Sequence, residues 1–134
     1  MAAAKALAEE NPLKLVSEGF LSIKTKDGRL IKLELNSTQQ KLFDKIAELR
    51  ADHKPIRIWI LKYRQGGIST ETEGIIYALT SQQENRNSLI LADEKEHANN
   101  LFDMFKLFQE KLEAEKPYLI TKLKKSNEKK LASG

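Results

Sequence analysis

The sequence predicts an α/β fold: a parallel sheet with flanking helices, incomplete at its C-terminus, with an N-terminal β-hairpin and helix beside it. Three observations carry this. A β-branched and aromatic run, Ile56 to Tyr63, leads through Gly66-Gly67 into a helical spacing. A second short apolar run, Ser88 to Ala92, leads into a long helical stripe. Strand, glycine turn, helix, strand and helix in that order are most simply satisfied by parallel strands with helical crossovers.

The elements follow in chain order. Met1 to Asn11 is alanine-rich, and a frayed or appended helix is expected there, ended by Pro12. Apolar residues alternate from Phe20 to Thr25 and from Arg29 to Leu35, with Asp27-Gly28 between them. Glycine tolerates the positive φ of a tight turn, so the pair reads as a hairpin. A helix is expected from Thr38 to Arg50, with Leu42, Phe43, Ile46 and Leu49 on one face. Either Asn36 with Gln39 or Ser37 with Gln40 can form its capping box. Thr70 to Ser81 reads as a helix with Ile75, Ile76 and Leu79 inward. Asp93 with Glu96 is expected to cap the last helix, which runs to about Leu112 with Ala98, Leu101, Phe102, Phe105, Phe108 and Leu112 at helical spacing. Beyond Pro117 the chain turns basic through Lys122, Lys124, Lys125, Lys129 and Lys130. Three segments result: an extension over 1–19, the domain portion over 20–116, and a basic tail or truncated continuation over 117–134.

Composition excludes several classes. With 134 residues, 40% of them apolar, the chain can bury one core but not comfortably two. No apolar run approaches the roughly 20 residues a bilayer span needs, and the N-terminus lacks an apolar signal core, so a cytoplasmic location is expected. Zero cysteines exclude disulfides and thiolate metal sites, and His53 and His97 are too far apart in sequence to announce a zinc cluster. The net charge of +4 permits an anionic partner without requiring one.

The glycine turn carries the chemistry. Backbone N–H groups converge where a buried strand turns into a helix, and the helix N-terminus is electropositive, so such a turn suits phosphate. The usual loop, G-x-x-x-x-G-K-[ST], uses glycines for close approach, lysine for the β/γ-phosphates and a hydroxyl for Mg²⁺. Aligning its last glycine on Gly67 puts Ser69 on the magnesium hydroxyl, Ile68 where the lysine belongs and Lys62 where the first glycine belongs. The alternative is a plain strand-to-helix turn in which Ser69 or Thr70 caps the helix.

Lys62-Tyr63-Arg64-Gln65-Gly66-Gly67-Ile68-Ser69-Thr70 resembles the deviant phosphate loop of some large terminase subunits, the DNA-packaging ATPases of tailed phages, in which the lysine sits at the front of the motif. A long lysine at the strand end can reach the same phosphates. Leu35-Asn36-Ser37-Thr38-Gln39 resembles the family's adenine-recognising segment, with Gln39 as the reader. Its amide offers the donor and acceptor that adenine requires, and helix capping is the alternative role. Ser88 to Ala98 is similar to the family's second strand and following helix. For Asp93, Glu94 and Glu96 the residues themselves favour helix capping over catalysis.

The resemblance implies a fold of the P-loop NTPase type and the N-terminal segment of a viral motor that binds ATP with Mg²⁺ and couples hydrolysis to translocation of double-stranded DNA into a capsid. It implies Lys62 and Arg64 on phosphate, Gly66 and Gly67 for backbone approach, and Ser69 on Mg²⁺. Gln65, Ile68 and Thr70 complete the loop, and Arg64 is also the candidate for transition-state charge. Implied partners are the portal protein and the small terminase subunit, within an oligomeric ring at the procapsid portal. No apolar strand ending in Asp-Glu follows Ala92, so a Walker B motif and catalytic glutamate are not found and this chain is expected to be inactive alone. Another helicase-like ATPase fragment and a non-enzymatic DNA- or protein-binding module are the alternatives.

Overall fold

The computed structural model describes residues 11–63, 66–82 and 86–117. Among them stand four helices, α1 (Lys14–Ser17), α2 (Ser37–Ala51), α3 (Ile68–Ser81) and α4 (Lys95–Glu115), and two strands, β1 (Ser22–Lys24) and β2 (Leu30–Lys32). The expected helix over Met1 to Asn11, Asn11 itself excepted, and the basic tail past Pro117 lie outside the described residues.

The parallel sheet of P-loop NTPase type is not found. The sheet among the described residues is the two-stranded antiparallel pair β1–β2, and neither Ile56–Tyr63 nor Ser88–Ala92 belongs to a ladder. Trp59 and Leu61 are fully exposed, and Leu89 and Leu91 are 80% and 83% exposed. The physical reason is that β-branched composition describes side chains fitted to a pleated, half-buried surface, and it fixes a strand only where a neighbour accepts the backbone hydrogen bonds. These two runs have the composition without the neighbour.

The hairpin is present and shorter than its alternating runs. Ser22, Ile23 and Lys24 face Lys32, Ile31 and Leu30 in antiparallel register. The Leu33 N–H donates to the Leu21 carbonyl at 2.8 Å, and both side chains are buried. At the turn the Thr25 N–H donates to Arg29 O at 2.8 Å, and Gly28 takes φ +86°, the conformation for which glycine is suited.

Helix α2 starts on the first of the two capping options. The Asn36 side chain accepts from the Gln39 N–H at 2.9 Å, and the Gln39 side chain accepts from the Asn36 N–H at 2.8 Å. Phe43 and Ile46 point into the core. The helix ends in a Schellman motif: His53 N–H donates to Arg50 O at 3.1 Å and Lys54 N–H to Leu49 O at 2.9 Å, with His53 itself at φ +54°.

Helix α3 begins at Ile68, two residues before the expected start, and Ser69 and Thr70 do not take the capping roles open to them, because Gly67 is the N-cap. Ile75, Tyr77 and Ala78 supply its main apolar contribution, whereas Ile76 and Leu79 are only half-buried. Gly74 lets the helix approach the hairpin, since a Cβ there would sit 3.2 Å from Leu21 and 3.4 Å from Leu33. Helix α4 has no Asp93–Glu96 capping box. Its N-cap is Glu94, which makes no side-chain cap, and Asp93 instead pairs with His97 Nδ1 at 2.6 Å.

The core gathers Leu13, Leu15 and Val16 around α1, Leu21 and Leu33 of the hairpin, Phe43 and Ile46 of α2, Ile75, Tyr77 and Ala78 of α3, and Phe108 and Leu112 of α4. Tyr77 stacks edge-on to Phe105 with centroids 4.9 Å apart, and its hydroxyl donates to Gln109 at 2.8 Å. The core therefore begins before Phe20. Pro12 opens a helical turn, accepting from the Leu15 N–H at 3.1 Å.

Candidate functional site

The site is the turn between Tyr63 and helix α3, held from the other side by the start of α2. Gly67 adopts φ +76°, ψ +7°, and its carbonyl accepts the first intrahelical bond from the Glu71 N–H at 3.0 Å. The N–H groups of Ile68, Ser69 and Thr70 precede that bond, so they belong to the orphan donors of a helix start, and no side chain caps them. A left-handed glycine followed by helical residues is the backbone arrangement that turns successive N–H groups toward an anion.

Two amides of α2's capping box reach across to this turn. Asn36 Nδ2 donates to Gly66 O at 3.3 Å, and Gln39 Nε2 donates to Gly67 O at 2.8 Å. Gln39 is 4% exposed, and both ends of its amide are engaged, one by the Asn36 N–H and the other by Gly67. A Cβ at Gly67 would collide with Gln39 Nε2, so the glycine is required both for its positive φ and for this approach. On the outer side, a Cβ at Gly66 would stand 3.1 Å from the Tyr63 ring, and the Tyr63 and Thr38 hydroxyls are 3.5 Å apart.

Lys62 and Ser69 meet. The Lys62 ammonium donates to Ser69 Oγ at 3.1 Å while remaining exposed to solvent. These are the two residues that the resemblance to the deviant loop assigns to phosphate and Mg²⁺. Ile68, at the position usually given to lysine, is buried at 7% exposure and points away from solvent. Thr70 is half-buried, and Arg64 and Gln65 lie outside the described residues. For Mg²⁺ the turn supplies Ser69 Oγ, which would take the cation, with phosphate oxygens and water as the remaining ligands, once the Lys62 ammonium has moved off it onto phosphate. Among the described residues no cluster of three or more His, Asp or Glu side chains stands where it can hold a metal ion.

Sequence reasoning missed two residues beside the turn. Glu71 and Glu73 are 0% and 2% exposed, and Glu71 Oε1, Glu71 Oε2 and Glu73 Oε2 have no hydrogen-bond partner. Burial pushes the Glu71 carboxyl up to about 7, with the Phe43 backbone acting in the opposite direction, and burial pushes Glu73 up to about 7 as well. An acid in the first turn of a helix normally reads as an exposed complement to the helix dipole. The available signal was spacing: Glu71 precedes the buried Ile75 and Ala78 by four and seven positions, and Glu73 precedes Tyr77 by four, so both continue covered faces.

Among the described residues no helix is long and apolar enough to cross a membrane. No protein-family model matches the chain, and no curated protein and no solved structure matches it significantly.

Proposed function

We propose that this chain grips the phosphates of a nucleoside triphosphate, ATP with Mg²⁺ foremost, at the turn from Lys62 to Thr70, and does so as part of a viral DNA-packaging ATPase. The observation that carries the reading is the contact of Lys62 Nζ with Ser69 Oγ at 3.1 Å. It sets a positive charge beside the uncapped N–H groups of α3, so that an anion entering there meets an ammonium, a hydroxyl and backbone donors together. Lys62 neutralises phosphate charge, Gly66 and Gly67 admit the ligand to the backbone, and Ser69 ligates the cation. Arg64 is assigned to charge developing during phosphoryl transfer. Coupling to double-stranded DNA, to a portal and to a small subunit belongs to the larger assembly that the sequence resemblance implies.

Titration of the chain with ATP, with and without Mg²⁺, tests the reading. Saturable binding that Mg²⁺ strengthens and Lys62→Ala weakens supports it, and the absence of binding sinks it. A second reading, a protein-binding module without nucleotide, is favoured by one observation, the fully exposed Trp59 and Leu61. Binding of a protein partner by a chain that ignores ATP would select it.

A further inference from the structure

The Gln39 side chain holds a backbone carbonyl of the glycine turn, and this bears on what the turn recognises. We infer that Asn36 and Gln39 are positioning residues that aim the phosphate-binding N–H groups, and that the site selects its ligand by the phosphate chain and not by the base. The inference rests on the reading of the turn as a phosphate site.

The geometry supplies the argument. In a planar trans peptide the carbonyl and the following N–H point in opposite directions. Asn36 Nδ2 holds the Gly66 carbonyl at 3.3 Å, so the Gly67 N–H is turned away from α2. Gln39 Nε2 holds the Gly67 carbonyl at 2.8 Å, so the Ile68 N–H is likewise turned away. Two neighbouring donors are thus oriented by two amides, and those amides are themselves fixed by the reciprocal capping box at 2.8 and 2.9 Å. A site that starts with its donors oriented loses less on binding than one that must order them. The same bonds commit Gln39. With 4% exposure, its oxygen on the Asn36 N–H and its nitrogen on Gly67, it has no free edge to present to a purine.

Gln39→Glu separates these roles, because it keeps the acceptor for the Asn36 N–H and loses the donor to Gly67. Gln40→Glu is the charge control: it adds the same charge one residue away on the exposed face of α2, at the cost of the hydrogen bond that Gln40 Nε2 donates to Asp44. Affinities for ATP, GTP and tripolyphosphate, each with Mg²⁺, are measured on the full chain and both variants, with ¹H–¹⁵N spectra reporting the Gly67 and Ile68 amides. The expected result is that the three ligands bind the parent chain within about threefold of one another. Gln39→Glu is expected to lose at least tenfold more affinity than Gln40→Glu, with the ligand-induced shifts of Gly67 and Ile68 abolished and the rest of the ¹H–¹⁵N spectrum retained, although the buried carboxylate lowers the melt. Preference for ATP over GTP by tenfold or more that vanishes in Gln39→Glu overturns the inference. So does equal binding by Gln39→Glu and Gln40→Glu, and in that case the phosphate reading itself survives if Lys62→Ala still weakens binding. No binding by the parent chain removes both, and Gln39 is then a capping residue alone.

Discussion

The Lys62 ammonium lies 3.1 Å from Ser69 Oγ, across the glycine turn that separates them. Lys62→Ala is expected to weaken ATP binding by about 1.5–3 kcal/mol, the scale of a charge-assisted hydrogen bond. Moving the charge to the usual lysine position does not rescue it. Ile68 is buried, so Ile68→Lys forces an ammonium into an apolar environment, and Lys62→Ala with Ile68→Lys is expected to bind no better than Lys62→Ala and to melt lower. Calorimetric titration and thermal denaturation of the three variants check both halves. Full affinity in Lys62→Ala would defeat the displaced-lysine reading.

How much of this was legible in the sequence varies with how local the cause is. The hairpin about Gly28, the capping box at Asn36 and the helical stripe through Phe43 and Ile46 depend on residues a few positions apart, and spacing exposes them. Lys62, Gly67 and Ser69 were legible as a motif. The hydrogen bonds from Asn36 and Gln39 to Gly66 and Gly67 were not, because they join segments about thirty positions apart in chain order. The parallel sheet failed for a related reason. Ile56–Tyr63 has strand composition, yet a ladder is a property of two segments, and composition reports on only one. Leu13, Leu15 and Val16 were missed because Pro12 reads as the end of a helix, whereas here it starts a turn.

His53 closes α2 in a conformation that costs any residue with a Cβ. It sits at φ +54° as the left-handed residue of the Schellman motif. Glycine relieves that cost, about 1–2 kcal/mol, and gives part of it back as chain entropy in the unfolded state. His53→Gly is therefore expected to raise stability by ~0.5–1 kcal/mol, measured as a shift in denaturation midpoint at unchanged slope. A lower midpoint would show that the imidazole makes a contribution beyond its backbone.

Trp59 is the chain's one tryptophan and is fully exposed, so its fluorescence reports on the apolar run directly. Trp59, Leu61 and Tyr63 stand at alternate positions of the run and are its most exposed apolar residues. An unpaired apolar segment of this kind promotes association. Emission is expected to be red-shifted and readily quenched at low protein concentration, and to shift blue as light scattering reports self-association. The double change Trp59→Ser with Leu61→Ser is expected to keep the chain monomeric to higher concentration without lowering its melting temperature, since neither side chain touches the core. A parent chain that stays monomeric at millimolar concentration would contradict this.

Glu71 and Glu73 give the fold a pH dependence whose sign differs from that of an ion-paired acid. In the folded state burial lifts both carboxyls to about 7 from an ordinary value of 4.5, so the native protein holds protons that the unfolded chain has released between those limits. Their contribution to stability is fully present below about 4.5 and is lost as pH rises through about 7, because charging a buried, unpartnered carboxylate is costly. A tenfold change in proton affinity corresponds to about 1.4 kcal/mol, so the loss is on the order of 3–3.5 kcal/mol per carboxyl at most, less wherever water reaches the group. The melting temperature is accordingly expected to fall between pH 5 and pH 8. Glu71→Gln removes the charge while keeping the shape, and is expected to flatten that fall and to stabilise the chain at pH 8 while leaving it nearly unchanged at pH 5. Glu73→Gln should act in the same direction, and because the residues sit two positions apart on one helix, a double-mutant cycle separates their coupling from their individual effects. A melting temperature that rises from pH 5 to pH 8, with Glu71→Gln no more stable than the parent at pH 8, would count against the raised carboxyls.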